Sequence, residues 1–312
     1  RRAAARPPLP ESPSYQPAAP PALVDCAAMT TQPAAPSASA SDAAPGERFA
    51  LHERMMGEAR AIIDGARAAG VVLRLIGGLA IRHHCTDLAF ADREYGDIDM
   101  AGLRSQSRRI GETFARLGFR ENVHVAQATQ LAQRQYLRGA GTDSVADHID
   151  VFLDEMAMDH VIDLRDRLRL DDYAIAPADA LLTKLQIFRL TQKDVHDIVA
   201  LVKDVPLSRG GSGHVIDIRY IADLCAADWG LYADVEANIE KCLAALGSFD
   251  LPDADYDRVK SSLAALEVAM SSAAKTLRWK LRARIGKRMA WNREVEEQDR
   301  TVTAPSHWEM PG

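Results

Sequence analysis

Residues 73–100 read LRLIGGLAIRHHCTDLAFADREYGDIDM, and the choice of fold turns on this stretch. An apolar run from Val71 to Ile76, interrupted by Arg74, reads as a strand and ends in Gly77-Gly78. A helical pattern follows from Leu79 to about Leu88, and Ile98 to Leu103 reads as a second strand. Residues two apart on a strand face the same side, so Asp97 and Asp99 project together. Adjacent carboxylates repel unless a cation stands between them, and a divalent metal shared with a phosphate substrate is the usual solution. Gly77-Gly78 adds bare backbone N–H groups at a helix N-terminus, where phosphate binds. Each half alone is weak, because Gly-Gly often marks only a tight turn and Asp-x-Asp is common on surface strands. In the order strand, Gly-Gly, helix, Asp-x-Asp strand, they point to metal-dependent nucleotidyl transfer.

Working outward, a helix is expected from Glu47, where Leu51, Met55, Ala59, Ile62, Ile63 and Ala66 recur at helical spacing before Gly70. A further helix spans about Ser105 to Leu117. Phe119 to Val125 and Gln133 to Leu137 are strand candidates. The turn-rich GAGTDS at 139–144 then leads into HIDVFLD, which reads as a hairpin. That second hairpin strand carries Asp150 between Ile149 and Val151, where an unpaired carboxylate is expensive to bury. A polar residue on the outer face of an edge strand is the competing reading. Three acidic groups converging on one place suit a two-metal site.

The segments VIDL and RLRL extend the strand pattern. Pro177 opens a helix containing ALLTKLQIF, and Thr191 to Asp194 has the form of a capping box ahead of VHDIVALVKD. Lys184 lies at the edge of an apolar face formed by Leu181, Leu185, Ile187 and Phe188. It reads either as a snorkelling lysine or as a cation reaching phosphate. Asp194 and Asp197 share one helix edge, where Asp194 can also serve as a cap.

Residues 71 to about 205 resemble the nucleotidyltransferase superfamily that shares the DNA polymerase beta catalytic fold. Within it they are most similar to the AbiEii/AbiGii toxin-like and related bacterial nucleotidyltransferases. The residues carrying the resemblance are IGGLAIRHH, YGDIDM, HIDVF and KLQIFRLTQKDVHDIVAL. It implies an α/β (α+β) fold, a mixed sheet with flanking helices followed by an α-helical C-terminal region. It further implies two Mg²⁺ ions at Asp97, Asp99 and Asp150, and Gly77 and Gly78 against the triphosphate of an NTP such as ATP. Lys184 and Asp194 are carried over as active-site residues. The implied acceptor is a tRNA end, a protein hydroxyl or a small molecule such as an aminoglycoside. A toxin-like member would have an antitoxin partner. The pattern departs from the superfamily in two ways: 18 residues separate Gly78 from Asp97, and Tyr95-Gly96 precedes the Asp-x-Asp.

Bulk properties bound the alternatives. The chain has 312 residues, 47% hydrophobic and 26% charged, enough for a sizeable core. A net charge of -6 argues against indiscriminate coating of nucleic acid. Cys26, Cys85, Cys225 and Cys242 form no C-x-x-C pair, which fits a reducing, cytoplasmic setting. No apolar run approaches the ~20 residues that span a bilayer, so no membrane partner is expected.

The expected organisation is a disordered Ala/Pro/Ser-rich segment at 1–47, with Met29 a candidate start. A nucleotidyltransferase core at 48–205, a helical region at 206–300 and a flexible tail at 301–312 follow. A long basic helix is expected from Lys275 to Arg293, reading as a solvated face or an RNA-phosphate contact. His83-His84-Cys85 is set aside as a metal motif, because neighbouring helical residues diverge by about 100°. His196-Asp197 is set aside because a metal phosphohydrolase needs further ligands. The competing functions are a non-catalytic nucleotide- or RNA-binding member of the same fold and a helical adaptor.

Overall fold

The computed structural model describes residues 45–138, 145–146, 148–211 and 213–291. The expectations for residues 1–44, the loop at 139–144 and the tail at 301–312 lie outside the described residues.

Five strands make the central sheet: β1 (Leu73–Leu75), β2 (Ile98–Gly102), β3 (Phe119–Glu121), β4 (Gln133–Arg138) and β5 (His148–Leu153), in the order β1-β2-β5-β4-β3. Only β2 and β5 run parallel; the other neighbours are antiparallel, so the sheet is mixed. The crossover from β2 to β5 carries α3 (Ser107–Arg116), β3, α4 (Val123–Ala128) and β4. Strand alternation gives the sheet two different faces. Ile98 and Met100 of β2, Ile149, Val151 and Leu153 of β5, and Tyr136 of β4 are all buried on one side. There Phe114 of α3 stacks on Tyr136 with ring centroids 3.9 Å apart. Residues of α1 (Pro45–Ala68), among them Ile62 and Ile63, belong to the same core. Asp99, Asp150, His148 and Gln135 occupy the alternate positions and share the other face.

The helix α2 (Gly77–His84) leads off β1. It packs with α5 (Pro177–Leu185) and α6 (Gln192–Asp204). Beyond Pro206 come the short parallel pair β8 (Leu207–Ser208) and β9 (Ile216–Asp217) and the helices α7 (Ile218–Ala227), α8 (Trp229–Ala245), α9 (Asp253–Ser272) and α10 (Leu277–Ile285). Contacts of α7, α8 and α9 with α5 and α6 continue the core, and the described residues belong to one compact unit. No helix among the described residues is long and apolar enough to cross a membrane.

Several local expectations change. The first helix starts at Pro45, inside the segment read as disordered. The helix begun by Gly77 stops at His84, not near Leu88, because the carboxylate of Asp204 accepts from the N–H groups of Thr86 (2.6 Å) and Asp87 (2.7 Å). Strand β3 ends at Glu121 opposite Tyr136. The Val-rich stretch after it, although suited to a strand, coils into α4 so that the chain can reverse into β4. VIDL contributes to a separate two-stranded sheet, β6 (Glu155–Ala157) with β7 (Val161–Asp163). RLRL is turn, with the Arg167 and Leu168 N–H groups donating to the Leu164 carbonyl. The basic helix is short: α10 ends where Gly286 takes φ 59°, a left-handed stop suited to glycine.

Candidate active site

The Asp-x-Asp strand and the Asp150 strand are direct neighbours, and their register pairs Asp99 with Asp150. Gln135 of β4 stands opposite Asp150 on the other side, and its Nε2 donates to Asp150 Oδ1 at 3.0 Å. That bond fixes one carboxylate oxygen of an otherwise apolar strand. His148, two residues before Asp150, places Nε2 3.7 Å from Asp150 Oδ2 and 3.7 Å from Asp97 Oδ1. The acidic group is therefore built across two parallel strands with an imidazole between two of its members. Asp150 is nearly buried, whereas the Asp97 side chain keeps 36% of its accessibility.

Gly77 closes the group from the side. Its φ is +65°, and a Cβ built there would lie 3.1 Å from Asp99 Oδ2. Both the backbone and the contact thus require glycine. We expect Gly77→Ala to cost about 1–2 kcal/mol from backbone strain alone, read as a shifted urea midpoint. A Cβ on Gly78 would collide with the guanidinium of Arg93 and lie 3.0 Å from the Tyr95 ring.

Arg93 leads to a second charged group. Its Nε and one terminal nitrogen donate to both oxygens of Asp197, at 2.7 and 2.6 Å. Lys184 Nζ lies 2.9 Å from Asp197 and 2.8 Å from Asp194. Asp194 completes the capping box of α6 by accepting from the Thr191 N–H, while the Thr191 side chain accepts from the Asp194 N–H. Burial works against the Lys184 ammonium, but the charges of Asp197 and Asp194 outweigh it and raise its pKa above the ordinary value. Burial likewise opposes ionisation of Asp194, and the neighbouring Lys184 with the Thr191 bonds pulls its pKa below the usual carboxylate range. Two cations and two anions so form a closed, charge-balanced cluster joining α5, α6 and the segment before β2.

The structure thus brings Asp97, Asp99 and Asp150 onto one sheet face with Gly77, and it brings Lys184 and Asp194 together in the neighbouring cluster. Lys184 stands behind Asp197, and Arg93 is the cation against the Gly77-Gly78 turn. His148 and Gln135 are additions that hydrophobic pattern does not distinguish from other polar strand residues. Their signal is positional: each falls at an alternate position on the same face as Asp150. Arg93 lies in the long stretch before Asp-x-Asp and pairs with a residue 104 positions away. That stretch is tied down elsewhere too, since Asp92 accepts from Arg48 at 3.1 Å and lies 2.7 Å from His52 Nδ1. His196 stacks on Phe90 with centroids 5.2 Å apart, and Asp197 is committed to Arg93 and Lys184, so the His-Asp dipeptide does not act as a metal pair.

Carboxylate oxygens are the hard donors that Mg²⁺ takes, and Asp97, Asp99 and Asp150 offer such a set on one face. Elsewhere among the described residues, His83, His84 and Asp171 each bring one ligand atom within 4.8 Å of the other two. Compared with known proteins, the chain matches no family model and no curated protein.

Proposed function

We propose that the protein is a metal-dependent nucleotidyltransferase that moves an NMP from an NTP to an acceptor hydroxyl. The observation that carries this reading is the pairing of Asp99 with Asp150 on parallel neighbouring strands, with Gly77 against Asp99. Asp97, Asp99 and Asp150 would hold Mg²⁺. When bound, the metal neutralises the triphosphate and acidifies the acceptor hydroxyl. The acceptor oxygen forms a bond to the α-phosphorus, the α–β phosphoanhydride bond breaks, and pyrophosphate leaves with the electron pair. Asp150, oriented by Gln135, takes the hydroxyl proton. The backbone at Gly77-Gly78 receives the triphosphate. Arg93 is the nearest cation to that turn, and Lys184 with Asp194 positions it through Asp197. Such catalysis is mostly alignment and charge neutralisation.

Incubation of the protein with each labelled NTP, Mg²⁺ and fractionated cell extract tests this reading. Release of pyrophosphate with label in one acceptor pool is the expected result. Label in tRNA would support the toxin-like form with an antitoxin partner. Label in protein or in a small molecule would identify the other acceptors. The other reading of the same scaffold is a nucleotide- or RNA-binding protein without transfer. Mg-NTP binding with no pyrophosphate from any pool would establish that reading instead.

A further inference from the structure

At the opposite end of α2 from Gly77-Gly78, a second polar group has no part in the proposed transfer. The helix has 8 residues, so its two ends lie about 10 Å apart. His83 and His84 close the helix, with their ring centroids 5.1 Å apart. Asp171, from the loop that follows β7, reaches them, and His83 Nε2 is 3.7 Å from Asp171 Oδ1. One ligand atom from each residue lies within 4.8 Å of the other two.

The hydrogen bonds around this group leave lone pairs in place. The His84 ring nitrogen Nε2 is 2.8 Å from the Ile175 carbonyl oxygen. A carbonyl can only accept, so Nε2 carries the proton and Nδ1 holds the lone pair. His84 is 1% exposed, and its Nδ1 is buried without a hydrogen-bond partner. The Nδ1 of His83 is buried and partnerless in the same way. Asp171 Oδ1 accepts from the N–H groups of Tyr173 (2.8 Å) and Ala174 (2.9 Å), which fixes the carboxylate and leaves Oδ2 for other use. An imidazole oriented by a carbonyl and a carboxylate oriented by backbone N–H groups are the outer supports found around metal ligands. A cleft of about 460 Å³, lined by His83, Asp171, Asp172, Tyr173 and Arg169 among others, leads to the group from solvent.

We propose that His83, His84 and Asp171 form a binding site for a divalent transition metal of the Zn²⁺ class, with a further coordination position open to the cleft. Two imidazoles and one carboxylate suit Zn²⁺, Co²⁺ or Ni²⁺ better than Mg²⁺. Neighbouring helical residues diverge at the backbone, yet these two rings lie with centroids 5.1 Å apart, and a remote loop brings Asp171 to within 3.7 Å of His83. The site also ties the end of α2 to the loop that leads into α5.

Co²⁺ titration of the chelator-treated full chain, followed by visible absorption and competed with Zn²⁺, tests the site. A tetrahedral-type band that saturates at one Co²⁺ per chain and is displaced by Zn²⁺ is expected, any Co²⁺ on the carboxylate face adding only weak octahedral absorption. His83→Gln and Asp171→Asn should each weaken binding about 100-fold, since a lost ligand costs at least as much as a lost outer support. Asp99→Asn should leave the band and the affinity unchanged. His83 is partly exposed, so its variant is expected to fold, and near-native circular dichroism checks this. Absence of the band, unchanged affinity in His83→Gln, or loss of the band in Asp99→Asn would each overturn the proposal.

Discussion

Asp99→Asn is expected to lower NMP transfer by about 10³-fold, equivalent to ~4 kcal/mol of transition-state stabilisation. Asn has almost the same shape as Asp and retains one acceptor oxygen, but it removes one negative charge from a face shared with Asp97 and Asp150. Under the proposed function that charge would serve where triphosphate and acceptor meet; for folding alone it is costly, because like charges on one face repel. The folded state should accordingly lose little: the urea midpoint should stay within about 1 kcal/mol of wild type. Rate and stability measured on the same preparation separate the two possible roles. A variant that keeps its rate would remove Asp99 from the chemistry. A variant that loses rate and stability together would make it a structural residue. Asp150→Asn should behave similarly in rate, with a larger stability change because Asp150 is nearly buried and bound by Gln135.

The second large effect is structural. Asp197→Ala should destabilise the protein by about 3–5 kcal/mol, since it strips a 1%-exposed carboxylate from two cations at once. Arg93 and Lys184 would remain with Asp194 alone to balance them. Urea unfolding reads the loss directly. Activity should fall as well, through Arg93 and the Gly78 turn it abuts.

The same cluster sets a pH profile. The pKa of Asp194 in the folded chain lies below its ordinary 3.8. Its contribution is therefore complete above about pH 3.8 and lost as pH falls through the folded value. Lys184 titrates above its ordinary 10.5, so its contribution is complete below that pH and lost as pH rises through the folded value. Acid unfolding of an Asp194→Asn variant should be shallower than that of wild type below pH 4. An identical acid limb would count against the cluster as the source.

Local pattern carried much of this. Strand β2 follows from Ile98 and Met100 alternating with the acidic positions. The α6 start follows from Thr191 and Asp194, whose spacing is itself the capping geometry. Pro177 opens α5 as its restricted φ suggests. Where β-rich composition misled, at residues 123–125, the need to reverse direction at the sheet edge outweighed intrinsic preference, and the chain forms α4. The helix expected to Leu88 stopped early because Asp204, far along the chain, capped the loop after it.

The candidate site divides in the same way. The types and spacing of Gly77, Gly78, Asp97, Asp99 and Asp150 are visible in one dimension, because a glycine turn and a two-residue strand repeat are short-range geometry. Their convergence is not, since the pairing of Asp99 with Asp150 depends on strand order and register. Arg93 with Asp197, and Asp171 with His83 and His84, depend on loops meeting helices more than 80 residues away. Those contacts arise from packing of the whole chain, and no local periodicity encodes them.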